Sequence, residues 1–146
     1  MLRNFRFVET NTLAGSNRPE SPEEIDWVYS LGIRAIISLA QVNPSVKEAI
    51  DRLGIDHLVL LVEDYKTPTS EQVEQFLAFV TKSLAEGKPT MVHCWAGRGR
   101  TGTMLAIWFV SQRIPILEAI ARAGDIERDR QKAAIFRFHK QRSAPT

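Results

Sequence analysis

Apolar positions along this chain alternate between two kinds of spacing. Residues 5–8 read Phe-Arg-Phe-Val, a period-two pattern that predicts a short strand, and a second strand is expected around 12–14. Ser21-Pro22-Glu23-Glu24 then supplies a capping hydroxyl, a proline at the first helical position and a glutamate three residues on, which together start a helix. Ile25, Val28, Tyr29 and Leu31 form its predicted inner face, and Gly32 ends it. Residues 34–39 are rich in apolar side chains and predict a buried strand. Asn43-Pro44-Ser45 opens a shorter helix that stops at Gly54, and the next strand is expected over 55–62.

Residues 63–68 are polar and read as a loop. Thr69 or Ser70 caps a long helix to about Ala85, with Val73, Phe76, Leu77, Val80 and Leu84 at helical spacing, and Gly87-Lys88-Pro89 stops it. Residues 90–93 predict a short strand leading into a loop. The helix expected over 101–113 is apolar on most sides and belongs at the centre of the fold; two more helices follow, over 116–123 and 128–141. Strands alternating with helices define the expected fold class: α/β, one domain over residues 1–146, with a central mostly parallel sheet flanked by helices.

Composition narrows the functional classes. The chain has 146 residues, 44% of them hydrophobic and 25% charged, with a net charge of +2, which suits one compact soluble domain and not an overall nucleic-acid or membrane binder. No apolar run is long enough to span a bilayer, and Met1-Leu2-Arg3-Asn4-Phe5 lacks the core of a signal peptide. The single cysteine excludes an internal disulfide and leads to the expectation of a reducing, cytoplasmic setting.

That cysteine lies in His93-Cys94-Trp95-Ala96-Gly97-Arg98-Gly99-Arg100-Thr101, between strand 90–93 and a helix expected to begin near Thr101. In parallel sheets ligands collect at such strand ends. Glycines let the loop curl so that successive N–H groups converge on an anion, the helix dipole adds positive potential, and Arg100 offers a planar fork for two oxygens of a phosphoryl group. The same field favours a thiolate at Cys94, since such settings lower a thiol from about 8.5 to about 3.5–7.5. Thr101 can place a hydroxyl near the sulfur. His93 is expected to hydrogen-bond the loop backbone rather than to move the proton, because adjacent strand side chains point opposite ways. The segment is not an ATP-type loop, which requires a lysine it lacks.

His93-Cys94, five residues, then Arg100-Thr101 resembles the HCxxxxxR[ST] signature of cysteine-dependent protein tyrosine phosphatases, and Gly97, Gly99 and Gly102 are similar to the small atypical dual-specificity branch. The likeness runs from about Asn4 to His139 and includes LAGS at 13–16 and GIRAIISL at 32–39. It implies a protein tyrosine phosphatase-like fold, a phosphate-binding loop of Trp95, Ala96, Gly97, Arg98, Gly99 and Arg100, and a general acid upstream of the cysteine. A leaving oxygen needs a proton, and Asp51, Asp56 and Asp64 are the candidates. Asp51 lies on a helix and Asp56 at the wrong end of its strand. Asp64 follows a strand's carboxyl end, thirty residues before Cys94, and matches the family's acid; Glu63 is the runner-up.

The implied reaction forms a phosphocysteine on Cys94, which water hydrolyses with Asp64 now acting as base. No metal or other cofactor is expected, because no ligand cluster is evident and Arg100 with the loop amides takes the charge. Segment 122–131 departs from the pattern RPGSIETxxQ: Gly124, Ile126, Glu127 and Gln131 match, whereas the proline and hydroxyl residues are absent. Gln131 either positions the hydrolytic water or braces the loop; bracing is the preferred reading. Trp95 either stacks on an aromatic substrate or packs under the loop, the commoner fate of such a side chain. Arg98, with Lys66, Arg128 and Arg130, adds positive charge at the mouth. The expected partners are phosphorylated proteins or peptides carrying phosphotyrosine, phosphoserine or phosphothreonine, met by a monomer without membrane contact. RNA 5′ ends, phosphoinositides and a non-catalytic phosphate-reading module stand as alternatives; RNA would use Lys132, Arg137, Lys140 and Arg142 with Arg128 and Arg130.

Overall fold

The computed structural model describes residues 1–63, 66–124 and 129–143. Five strands form one sheet: β1 (Arg6–Glu9), β2 (Leu13–Ser16), β3 (Ala35–Ser38), β4 (Asp56–Val59) and β5 (Thr90–His93). Their spatial order is β1-β2-β5-β3-β4; β1 pairs antiparallel with β2 and every other pairing is parallel. β5 is therefore central. Every residue of β2, β3 and β5 is buried, as a sheet covered on both faces requires.

The pleat divides these strands between two cores. Leu13, Ile37 and Val92 face one side, under α3 (Ser70–Ala85), α4 (Gly99–Ser111), α5 (Ile116–Ala123) and α6 (Asp129–Ser143); Ala14, Ile36 and Met91 face the other, under α1 (Pro22–Ser30) and α2 (Pro44–Arg52). Helices on both faces of a mostly parallel sheet are the architecture the sequence implied. α4 is buried from Gly99 through Val110 and so forms the spine of the larger core. Thr69 caps α3 in a reciprocal box with Gln72, and Ser21 caps α1 by accepting from the Glu24 N–H.

Several boundaries differ from expectation. The strand expected over 55–62 is regular only at Asp56–Val59, because its one neighbour, β3, ends at Ser38. The chain beyond stays tethered instead by single bonds from Leu60 N–H to the Ser38 carbonyl and Val62 N–H to the Leu39 carbonyl. Leu31 does not belong to the inner face: it is the residue after the last turn of α1 and is 38% exposed. α4 begins at Gly99, two residues before the expected start, so Arg100 and Thr101 sit in its first turn.

Register sets the level of the site. Ser16 pairs with His93, His93 with Ser38, and Ser38 with Val59, so four parallel strands end in one row. Cys94 is the first residue beyond that row on the central strand. No helix among the described residues is long and apolar enough to cross a membrane.

Candidate active site

Cys94 is buried, 2% exposed, at the floor of the loop joining β5 to α4. The loop carbonyls are held on its outer side, one after another. Cys94 O accepts from His93 Nδ1 at 3.1 Å, Trp95 O from the Arg18 N–H at 3.0 Å, and Ala96 O from Asn4 Nδ2 at 2.6 Å. Gly97 O accepts from Arg6 Nη1 at 2.9 Å, Arg98 O from the Gly102 N–H, and Gly99 O from the Thr103 hydroxyl at 2.7 Å. In a trans peptide the N–H of the next residue points opposite to the carbonyl. Six carbonyls drawn outward thus turn the following N–H groups toward a common centre, the geometry of an anion nest. One of them is seen at work: the Gly97 N–H donates to Cys94 Sγ at 3.3 Å.

Gly97 is obligatory in this arrangement. Its φ is +80°, and a Cβ there would stand 2.5 Å from the Ser16 and Asn17 backbone. Gly99 answers to Gln131: a Cβ on Gly99 would lie 2.7 Å from the Gln131 carboxamide, which is only 1% exposed. Gln131 thus packs against the loop from α6.

His93 is fully buried and sits in a chain of polar contacts. Because a carbonyl only accepts, Nδ1 carries the hydrogen toward Cys94 O, which leaves Nε2 as an acceptor for the Ser38 hydroxyl at 2.6 Å. Ser38 in turn accepts from His57 Nε2 at 2.7 Å. Both ring nitrogens of His93 are therefore committed to positioning. Burial, reinforced by the positive fields of His57, Arg18 and Arg100, lowers its pKa from 6.5 to about 4; burial and Lys47 lower that of His57 in the same direction.

The neutral ring makes stability depend on pH. The unfolded chain takes up a proton at His93 below about 6.5, whereas the folded chain resists until about 4. This contribution is complete above pH 6.5 and declines as pH falls toward 4, by up to about 1.4 kcal/mol per pH unit. Urea midpoints measured between pH 7 and 5 should fall accordingly, and a His93→Gln variant should show a shallower slope; equal slopes would remove His93 as the cause.

Arg100 is 9% exposed and donates from Nη1 to the Val62 carbonyl at 2.8 Å. It therefore ties the start of the loop after β4 to the first turn of α4. Thr101 is fully buried, and its hydroxyl has no hydrogen-bond partner among the described residues. Such a group costs about 1–3 kcal/mol if left unpaired. Trp95 does not pack under the loop: it is 58% exposed, with the Arg18 guanidinium 4.3 Å from its ring centre. Its backbone is fixed by Arg18 N–H while its side chain projects at the rim.

Asp64 lies outside the described residues, as do residues 125–128, which include Arg128 and the middle of the altered segment. Val62, whose carbonyl Arg100 holds, leads into Asp64 along the chain. The two rejected carboxylates are engaged elsewhere, Asp51 with Lys47 at 3.1 Å and Asp56 with Lys88 at 2.8 Å. Glu63 is exposed. No group of three or more potential metal ligands occurs among the described residues. Sequence reasoning passed over Asn4, Arg6, Arg18, Ser38 and His57. The only trace of them lay in the alternation of 5–8 and in the LAGS and GIRAIISL stretches, which fix the neighbouring strands.

A buried thiol under a ring of inward amides, with a guanidinium at the edge, defines a site for nucleophilic attack on a tetrahedral oxyanion. Residues 2–145 match the family described as "Swiss Army Knife protein, DSP-PTPase phosphatase domain", and the chain belongs to that family of cysteine-based phosphatases. It is 30% identical over 95 residues to the phosphatidylglycerophosphate phosphatase PTPMT1 of Arabidopsis thaliana, covering 63% of this chain and 28% of that protein. It is 37% identical over 103 residues to the dual specificity protein phosphatase CDC14C of Homo sapiens, covering 69% of this chain and 22% of that one. The chain thus spans well under half of these relatives. Among solved structures, Tk-PTP in its active form superposes with a TM-score of 0.85 at 23% identity, covering 97% of this chain and 99% of that one. PTPMT1 superposes with a TM-score of 0.80 at 24% identity, covering 94% of each. Both likenesses concern the fold.

Proposed function

We propose that this phosphatase hydrolyses phosphomonoesters through a phosphocysteine on Cys94, with phosphotyrosine, phosphoserine and phosphothreonine in proteins as its substrates. The observation that carries the reading is the row of outward-bound carbonyls, which leaves inward N–H groups around Cys94 Sγ. These amides and Arg100 hold the equatorial oxygens of the transferring group, where transition-state charge collects. Sγ attacks phosphorus in line; the S–P bond forms as the ester P–O bond breaks, and Asp64 gives its proton to the leaving oxygen. Water then attacks phosphorus and gives a proton to Asp64, and the S–P bond breaks to return the thiolate and inorganic phosphate. The Thr101 hydroxyl, which has no partner among the described residues, stabilises the sulfur as it leaves.

Protein substrates are supported by the exposed Trp95 at the rim, which suits an aryl or peptide surface, and by the likeness to a dual specificity protein phosphatase. A lipid phosphomonoester is the second reading, supported by the likeness to PTPMT1. Turnover is to be measured on phosphotyrosyl and phosphoseryl peptides, a 5′-triphosphorylated RNA, and phosphatidylglycerophosphate and phosphoinositide vesicles. The phosphopeptides should give the highest kcat/KM. Full activity on p-nitrophenyl phosphate with none on any phosphopeptide would refute the protein-substrate assignment, and vesicle turnover above all else would establish the lipid one.

A further inference from the structure

The loop around Cys94 does not hold its own shape. Of its six outward carbonyls, two are fixed by side chains from outside the β5–loop–α4 unit: Ala96 O by Asn4 Nδ2 at 2.6 Å and Gly97 O by Arg6 Nη1 at 2.9 Å. These bonds span 92 and 91 residues of sequence. Each governs a different amide: turning Ala96 O outward points the Gly97 N–H inward, and turning Gly97 O outward points the Arg98 N–H inward. The Gly97 N–H is found at the sulfur, 3.3 Å from Sγ.

Asn4 and Arg6 are themselves tightly placed. The Asn4 N–H donates to Asn17 Oδ1 at 3.0 Å, so the residue is fixed from both its backbone and its side chain. Arg6 Nη1 also donates to Asn4 O at 3.1 Å, and Nη2 to Ala123 O at 3.2 Å at the end of α5. One guanidinium thus joins β1, the loop and the end of α5. Gly97, with φ +80°, has a wide range of backbone states open to it, so its peptide needs an external hold. A flipped peptide would aim a carbonyl oxygen at the bound anion in place of a donor, exchanging attraction for repulsion.

We infer that Asn4 and Arg6 are positioning residues that lock the 96–97 and 97–98 peptides with their N–H groups facing the phosphoryl site, so that the amino-terminal segment sets the affinity of the loop for oxyanions. This rests on the site being the phosphate-binding site proposed above. Neither residue touches substrate; each acts through one peptide bond.

Tungstate is the probe, followed by inhibition of p-nitrophenyl phosphate turnover and by backbone amide NMR. The parent protein should bind tungstate with downfield shifts of the Gly97 and Arg98 amides. Asn4→Asp is nearly isosteric but replaces the donor with an acceptor; it should weaken tungstate binding about tenfold, since a hydrogen bond to a misoriented group forfeits about 1.4 kcal/mol. It should also erase the shift at Gly97 while sparing Gly99 and Arg100. Arg6→Ala should do the same at Arg98, and Arg6→Lys, which keeps one donor, should restore much of the affinity. If Arg6→Ala does not fold, Arg6→Met, which keeps the aliphatic stem but has no donor, takes its place. Tungstate affinity within about twofold of the parent in both Asn4→Asp and the donor-less Arg6 variant, with the Gly97 and Arg98 shifts intact, overturns the inference alone. A parent protein that binds no tungstate overturns the phosphate site and the inference with it.

Discussion

Cys94→Ser should give a protein that still binds tungstate but turns over no phosphomonoester at a measurable rate. The proposed anion cradle consists of backbone N–H groups and Arg100, none of which the substitution removes. What it removes is the thiol, the nucleophile of the proposed reaction. A serine hydroxyl at neutral pH needs a neighbour to take its proton. His93 cannot be that neighbour, because Nδ1 is committed to the Cys94 carbonyl and Nε2 to Ser38. The loss should therefore be on the order of 10⁴-fold or more in kcat, comparable with removal of a nucleophile elsewhere. Single-turnover assays with p-nitrophenyl phosphate, with tungstate titration as the binding control, measure it. Turnover within about tenfold of the parent would mean that phosphorus is attacked directly by water and that no phosphocysteine forms.

Arg100→Lys should lower kcat/KM by about 10²–10³-fold, the usual cost of losing a positioned donor to transition-state charge. The guanidinium has enough donors to hold the Val62 carbonyl and an oxyanion at once, and its burial fixes the fork. A lysine ammonium is a single point of charge, so it must choose between the two. The loss should be similar for aryl phosphates with good and poor leaving groups, because charge on the transferred group is affected in both. Asp64→Asn should differ: its cost should rise steeply as the leaving group becomes more basic. A comparison of the two variants across a leaving-group series separates the roles. An Arg100→Lys enzyme with near-parental kcat/KM would assign the guanidinium to loop anchoring alone.

The part of the site that could be read from sequence is the part that is contiguous. Cys94, the glycines and Arg100 lie on one strand, loop and helix start, and local rules for strand ends and helix dipoles apply to them directly. The fold class was equally accessible, since Leu13, Ile37 and Val92 against Ala14, Ile36 and Met91 follow from runs buried on two faces. Asn4 and Arg6 were not accessible. Their partners lie 92 and 91 residues away, and an arginine in an alternating strand reads as a solvated side chain. Ser38 and His57 escaped for a related reason: only the register of β3 against both β4 and β5 sets them in line with His93. The start of α4 was misjudged because Gly99 looks like loop, yet the helix accepts it where the Thr103 hydroxyl closes on the Gly99 carbonyl. For Trp95 packing is the commoner fate, and a general frequency does not tell which side of a tight loop a side chain leaves from.

Because the proposed oxyanion holder draws on main-chain groups beside the Arg100 side chain, substitutions at Trp95, Ala96 or Arg98 would not delete its donors, whereas a Cβ at Gly97 would meet the Ser16 and Asn17 backbone. Chemistry and selectivity are thereby assigned to different atoms of the same seven residues. The rim can drift toward new phosphoesters over evolutionary time while the reaction it serves is carried forward unaltered.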